Sequence, residues 1–143
     1  MARSREIIFI ESENKNTTET RFIKSNEPLA SPQLIASRQE DVEYYPDHHT
    51  SGKLFILTND GAKNFRLMEA TLETPERENW QEVIPERAGV TIEDFDVFST
   101  HIALSLREKT LPQVEILDLT TGEIKRLNFA EPISALESEA NLE

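Results

Sequence analysis

The sequence contains no cysteine, only four glycines, and no apolar run near the length of a membrane-spanning helix. Without cysteine, disulfides and thiol chemistry are excluded, and this is compatible with the cytoplasmic location that we predict. So few glycines leave no Gly-rich phosphate-binding loop, and no G-x-S-x-G nucleophile motif occurs. Since a membrane helix needs about 20 consecutive apolar residues, we expect no membrane partner.

Basic residues are also few. The chain has 15 Lys and Arg against 27 Asp and Glu, which gives a net charge of −12. Such a surface repels phosphate backbones, so we expect no nucleic-acid partner. The acidic excess has two interpretations, an ordinary solvated surface or an attraction for basic peptides. Acidic pairs such as Glu40-Asp41 and Glu93-Asp94 are expected at the surface and not as catalytic carboxylates.

The clearest pattern present is a β-hairpin within residues 44–71. An apolar run at 54–57 and a second run at 65–70 flank the turn sequence Asn59-Asp60-Gly61. Two runs of β-forming residues around an Asx-Gly turn predict two antiparallel strands. No segment shows a sustained helical period with caps, so the prediction is an all-β chain.

The same hairpin occurs once before and once after, at intervals of 47 and 48 residues. A period of that length is typical of the four-stranded blade of a β-propeller, about 40–50 residues. Each hairpin is followed by a third run of β-forming residues. The second and third hairpins are also preceded by a lead-in run, which the first hairpin lacks. The paired runs are 7–10 with 21–23, 54–57 with 66–68, and 102–106 with 114–117; the third runs are 33–36, 80–84 and 123–129; the lead-in runs are 42–45 and 91–98.

These runs predict about three consecutive four-stranded antiparallel blades, of which the first is incomplete. The predicted units are a partial blade at 5–38, complete blades at 42–86 and 91–129, and the start of a further blade or a frayed tail at 130–143. The run 54–57 is apolar on both faces, as expected of a strand between two neighbouring blades. Apolar residues also alternate with Ala103, Ser105 and Glu115, which predicts strands with one face in a core; the apolar residues are Ile102, Leu104, Leu106, Val114 and Ile116.

Few residues are candidates for chemistry. His48 and His49 are adjacent, so in a strand they point to opposite faces and cannot share a metal ion; we expect them to hydrogen-bond the backbone instead. His101 has no partner ligand in the pattern, and Trp80 is expected to pack between blades. We therefore predict no catalytic, cofactor-binding or metal-binding residue. Four arginines are candidates for salt bridges between blades or domains, with no partner assigned, namely Arg66, Arg77, Arg87 and Arg107.

Several blocks of sequence, in order along the chain, resemble a known family. They are Tyr44-Tyr45 with Asp47-His48, then 53–59, 61–67, 80–85, Arg87, Gly89-Val90, Glu93-Asp94-Phe95 and 129–132. Together they are similar to the propeller domain of the prolyl oligopeptidase family of serine peptidases, in its oligopeptidase B branch. The resemblance covers residues 40–136 in sequence and residues 5–38 in pattern only.

The resemblance implies a seven-bladed propeller that caps an α/β-hydrolase domain of the same parent chain. That domain would carry a Ser-Asp-His triad and cleave short peptides after Arg or Lys, while the propeller excludes folded proteins. No position of this chain matches the triad or the specificity carboxylates. The resemblance therefore implies a scaffold that is non-catalytic by itself, and no cofactor.

In that family the propeller lies between an N-terminal segment and the hydrolase domain. We therefore expect a propeller fragment, whether a deliberately cut piece, a proteolytic product or a truncated gene product, and we expect its exposed blade edges to self-associate. Two alternatives remain. One is a non-enzymatic propeller or repeat scaffold that binds proteins through its loops, and the other is a free-standing all-β domain that unfolds cooperatively as a monomer.

Overall fold

The computed structural model describes residues 1–127, which form three antiparallel sheets with their strands in chain order. The first sheet contains β1 (Ile7–Asn14), β2 (Thr17–Lys24) and β3 (Gln33–Leu34). The second contains β4 (Tyr44–His48), β5 (Lys53–Thr58), β6 (Arg66–Thr71) and β7 (Gln81–Ile84). The third contains β8 (Val90–Val97), β9 (His101–Glu108), β10 (Leu111–Asp118) and β11 (Ile124–Arg126). A 3-10 turn, Arg77–Asn79, precedes β7.

The predicted fold class is confirmed. The described residues form all-β sheets that match propeller blades, and the first sheet has three strands where the others have four. We refer to the three sheets as the first, second and third blades. The exact division at 5–38, 42–86 and 91–129 remains a prediction, while the strands themselves span 7–34, 44–84 and 90–126. The predicted start of a further blade at 130–143 lies outside the described residues.

Tight turns fix the register of the hairpins. Lys109 and Thr110 join β9 to β10 with φ angles of 50° and 65°. Two consecutive residues in the left-handed region form a type I′ turn, whose twist matches that of the flanking strands. Gly61, in the predicted turn between β5 and β6, has a φ of 64°, a conformation that glycine adopts without steric cost.

Two apolar cores hold the blades together, one on each side of the second blade. On β5, Leu54 and Ile56 pack into the core shared with the first blade. Phe55 and Leu57 on the same strand pack into the core shared with the third blade. The prediction of a strand that is apolar on both faces is confirmed, because β5 lies between two neighbours and exposes neither face.

The predicted core face is confirmed for β9, where Ile102, Leu104 and Leu106 are buried, and is wrong for β10. Val114 and Ile116 are only half-buried, whereas Glu115 is 4% exposed. Glu115 pairs with Leu104 across the ladder, so it lies on the face that packs against the second blade. A carboxylate is tolerated there because Arg87 neutralises it with two hydrogen bonds of 2.9 Å.

Tyr44 at the start of β4 links the first two blades through its hydroxyl group. That oxygen accepts a hydrogen bond from the backbone N–H of Thr20 at 2.7 Å and donates one to the carbonyl of Ala36 at 2.6 Å. The Trp80 ring meets the Tyr44 ring edge-on at 5.5 Å, and it packs against the core between these blades. The prediction that Trp80 packs between blades is confirmed.

All four arginines form salt bridges, but the prediction that these bridges join blades or domains is wrong for Arg66 and Arg107. Arg66 pairs with Glu82 and Arg107 pairs with Glu93, in each case inside one blade. Arg77 pairs with Asp60 at 2.8 Å and also donates to the carbonyl of Ser37, so it joins the second blade to the connection before it. Arg87 lies between β7 and β8 and reaches Glu115.

Candidate functional site

The clearest concave region lies where corresponding turns of the three blades converge. Residues 1–5, 47–50 and 96–99 line a cavity of about 600 Å3. Each of these turns precedes the strand that opens a blade's main hairpin, and each closes with a similar backbone hydrogen bond. The bonds run from Ala2 N to Ile7 O at 2.8 Å, from His49 N to Lys53 O at 2.9 Å, and from Phe98 N to His101 O at 2.8 Å. The repeat therefore builds the cavity from three related segments.

Arg3 lines this cavity and connects its own turn to residues of the second and third blades. Its backbone N–H donates to the Asp47 carboxylate at 3.2 Å. Its guanidinium carbon lies 4.3 Å from the centre of the Phe98 ring, and Nη2 lies 3.6 Å from an Asp96 carboxylate oxygen. An aromatic face together with a carboxylate is the environment that a planar guanidinium prefers.

Asp47 faces the cavity with limited access to water. Burial raises the pKa of this carboxyl, while hydrogen bonds from the His48 and Arg3 backbones and the charge of Arg3 act in the opposite direction. The nearby charge of Asp96 adds to the rise. Two carboxylates in a partly desolvated cavity favour a cation between them.

The histidines lie around the cavity without forming a metal site. His48 is 2% exposed, and its Nδ1 lies 2.8 Å from the hydroxyl of Ser4. His49 approaches the carbonyl oxygen of Ser99 at 2.8 Å with its Nε2. The prediction of a backbone partner is thus confirmed for His49. It is wrong for His48, because the partner of that buried ring is the side chain of Ser4. Among residues 1–127, no group of three or more His, Asp or Glu is placed to hold a metal ion.

Ser4 and His48 superficially resemble a nucleophile and its base. The Ser4 hydroxyl and the Glu6 carboxylate, however, both approach the same ring nitrogen, Nδ1, at 2.8 and 3.8 Å. The other nitrogen, Nε2, is buried and has no hydrogen-bond partner in the described part of the chain. A catalytic relay needs the serine on one nitrogen and the acid on the other. Burial lowers the pKa of His48, although Glu6 and Asp47 oppose the shift.

A second polar cluster is structural. Glu115 receives hydrogen bonds from Arg87 on one side and from Arg126 at 3.1 Å on the other. Burial by itself raises the pKa of Glu115, but the hydrogen bonds from the two guanidinium groups outweigh it and the net pKa is lowered.

The predicted surface pairs Glu40-Asp41 and Glu93-Asp94 are indeed exposed.

Sequence reasoning missed the grouping of Arg3 with Asp47, Asp96 and Phe98. One signal was available, because Asp47 and Asp96 both stand at the end of a lead-in strand, separated by about one repeat. The contribution of Arg3 has no such signal. It comes from a turn without a lead-in strand among the described residues, and it depends on how the blades stack.

Comparison with known proteins agrees with this architecture. The sequence pattern of the prolyl oligopeptidase N-terminal beta-propeller domain matches residues 1–142. The chain belongs to the prolyl oligopeptidase family. Human prolyl endopeptidase-like protein is 32% identical over 117 residues, which cover 81% of this chain and 16% of the human protein. Protease 2 of Moraxella lacunata is 29% identical over 133 residues, covering 92% and 18% respectively.

Solved structures of the family share the fold. Oligopeptidase B from Trypanosoma brucei superimposes with a TM-score of 0.84 at 25% identity, over 92% of this chain and 20% of that protein. Oligopeptidase B from Leishmania major gives a TM-score of 0.82 at 23% identity over the same share of each. The chain spans less than a fifth of the length of the curated relatives named above. Homologues of this chain in the prolyl oligopeptidase family are serine peptidases that carry the propeller and a hydrolase domain in one polypeptide.

Among the described residues, no helix is long and apolar enough to cross a membrane.

Proposed function

We propose that this chain forms part of the propeller gate of a serine oligopeptidase related to oligopeptidase B. The observation that carries the proposal is the match of residues 1–142 to the propeller domain of prolyl oligopeptidases. A hydrolase domain of the same polypeptide would supply the Ser-Asp-His triad. The propeller would admit short peptides to that domain and exclude folded proteins, and the chain itself would be non-catalytic.

The proposed substrates are short peptides cleaved after Arg or Lys. Two observations support this choice. The net charge of −12 favours the approach of basic peptides through long-range attraction. The proteins to which this chain is similar include one named protease 2 and one named oligopeptidase B. The specificity carboxylates would lie in the hydrolase domain. A cytoplasmic location is part of the proposal, on the absence of cysteine.

The first experiment is to read the coding sequence beyond residue 143. The proposal expects a G-x-S-x-G motif some hundreds of residues on, followed by an aspartate and then a histidine. A reading frame that continues only as further blades would overturn the peptidase role and support the scaffold alternative, in which loops bind proteins without catalysis.

The second experiment measures activity of the whole encoded polypeptide on fluorogenic peptides ending in Arg, Lys, Leu or Pro. Faster cleavage after Arg and Lys is expected, and a variant with alanine in place of the motif serine is the control for contaminating peptidases. Equal cleavage of all four peptides, or preference for Pro, would overturn the proposed specificity while leaving the family role intact.

A further inference from the structure

The turn between β5 and β6 contains the only Asp-Gly step in the sequence, Asp60-Gly61, and no Asn-Gly step occurs. The backbone nitrogen after an aspartate can attack the carboxyl carbon of that side chain, which forms a C–N bond and releases water. Glycine hinders this attack least, because it has no Cβ. The resulting succinimide ring takes up water again and opens to aspartate or to isoaspartate. By sequence alone, Asp60 is therefore the residue most susceptible to isomerisation.

The folded chain holds this carboxylate through Arg77. The Arg77 Nη1 donates to Asp60 Oδ2 at 2.8 Å, and the two side chains are only 22% and 26% exposed. Attack by the Gly61 nitrogen requires the carboxyl group to turn toward that nitrogen and one of its oxygens to leave as water. Either change gives up the charge-assisted hydrogen bond to Arg77. The ion pair therefore opposes the reaction at its first step.

Arg77 is itself fixed by three further contacts. Its Nη2 donates to the carbonyl oxygen of Ser37 at 3.2 Å, in the connection before β4. Its guanidinium carbon lies 5.2 Å from the centre of the Trp80 ring and 6.0 Å from that of the Tyr44 ring. A planar guanidinium held by a carbonyl and two aromatic rings cannot follow the carboxylate as it turns without losing these contacts. The position of Arg77 thus depends on the packing between the first and second blades.

We propose that Asp60 is a site of spontaneous isomerisation to isoaspartate, and that Arg77 suppresses this modification while the first two blades stay packed. Isomerisation inserts one carbon atom into the backbone of the turn. The hydrogen bond from Ala62 N to Asn59 O, 3.0 Å long, spans this position and would be lost together with the ion pair. The modification therefore loosens the hairpin whose first strand joins both cores.

The test follows isoaspartate formation in the purified chain during incubation at neutral pH. Trypsin releases residues 54–63 as one peptide, in which Asp60 is the only aspartate. Its aspartate and isoaspartate forms have equal mass, and chromatography with fragment mass spectrometry distinguishes them. Arg77→Gln lies outside this peptide and should raise the rate about tenfold, since it removes one charge-assisted hydrogen bond from the carboxylate. An unchanged rate would overturn the proposal.

Tyr44→Phe is the matched control for general loosening. It removes the hydroxyl bonds to Thr20 and Ala36, and so weakens the same contact between blades, but it leaves the partners Asp60 and Arg77 in place. Its rate of isomerisation should equal that of the wild-type chain. An equal rise in Tyr44→Phe and Arg77→Gln would mean that mobility of the turn and not the ion pair controls the reaction, and would overturn the proposal.

Loss of folding is checked by circular dichroism. Should Arg77→Gln fail to fold, Arg77→Lys replaces it in the same comparison, because lysine keeps the charge but lacks the second nitrogen that bonds Ser37. The wild-type chain gives an independent result. It should isomerise about tenfold more slowly when folded than in urea, where the ion pair is absent, and equal rates would overturn the proposal. None of these measurements involves peptide hydrolysis, so they test the modification separately from the peptidase role.

Discussion

Phe55 and Ile56 are neighbours on β5, yet they pack into two different cores. Phe55 is 1% exposed in the core shared with the third blade, and Ile56 is 0% exposed in the core shared with the first. One strand therefore joins all three blades, because its two faces serve different interfaces.

Replacing either residue by alanine should strongly destabilise the fold. Phe55→Ala and Ile56→Ala are each expected to lower the free energy of unfolding by about 2–5 kcal/mol, since each leaves a cavity at a blade interface. Urea denaturation followed by circular dichroism measures this. Leu111→Ala is the control, because Leu111 is 48% exposed at a hairpin end and should change stability by less than about 0.5 kcal/mol. Near-neutral effects of both core substitutions would contradict the placement of β5.

Removing the hydroxyl group of Tyr44 should weaken the contact between the first two blades. In Tyr44→Phe the buried N–H of Thr20 and the carbonyl of Ala36 lose their partner. An unsatisfied buried group costs about 1–3 kcal/mol, so a loss of this size is expected in urea denaturation. Tyr45→Phe is the matched control, since the Tyr45 hydroxyl bonds only the half-buried Glu43 in the described structure and its loss should cost less. Equal losses in both variants would contradict the role of Tyr44.

Glu115 should make the fold sensitive to acid. Its pKa in the folded chain is lowered, so its stabilising effect is complete above the ordinary glutamate value of 4.5 and is lost as the pH falls through the lowered value. The free energy of unfolding, measured by urea titration between pH 7 and pH 3, should therefore fall in this range. Glu115→Gln should remove that part of the slope and cost about 1–3 kcal/mol at neutral pH, because Arg87 and Arg126 lose their counter-charge.

Glu93→Gln is the control for this measurement. Glu93 pairs with Arg107 at 2.7 Å, but both side chains are more than 40% exposed. Water and salt weaken such a pair, so the substitution should change stability by less than about 0.5 kcal/mol and leave the acid slope intact. An unchanged slope in Glu115→Gln would show that other carboxyl groups control acid stability.

The isolated chain should self-associate. Val114 and Ile116 lie on the face of the third blade opposite its core, and no other described sheet covers that face. Sedimentation velocity at increasing concentration should show species larger than the monomer. Ile116→Lys should reduce the association, whereas Leu111→Lys adds the same charge at a hairpin end and should not. A folded chain that stays monomeric at high concentration would contradict this prediction.

The chain alone should not hydrolyse peptides that contain Arg-Arg or Lys. No described serine has a base and an orienting acid in relay geometry, and the Ser4, His48 and Glu6 side chains meet at a single nitrogen. A fluorogenic assay on the purified chain measures this. Turnover that a serine-directed reagent inhibits, and that persists after further purification, would contradict the prediction.

The strands could be predicted because their signals are local. β5 and β6 flank an Asx-Gly turn, and their partners recur at a period near 47 residues, so pairing with the chain neighbour is the simplest arrangement. The buried face of β10 could not be predicted from alternation, because Val114 and Ile116 are more apolar than Glu115. The outcome depends on Arg87 and Arg126, which come from two other segments.

The candidate site was beyond sequence reasoning for a similar reason. Arg3 and Phe98 lie far apart in the described chain, and neither belongs to a motif with a fixed spacing. Their contact exists only because turns of successive blades converge at one point. The repeat predicts that Asp47 and Asp96 occupy equivalent positions in successive blades. It does not predict which cation lies near them.

The order of the strands has a consequence for how the polypeptide folds during synthesis. Every ladder in the described residues joins strands that follow one another along the chain, so each pairing closes only a short loop. A blade can therefore form on the ribosome as soon as its last strand has emerged, without waiting for distant segments. Arg3 is the exception, since it precedes the strands of all three blades and meets Asp96 and Phe98 only after the third blade exists.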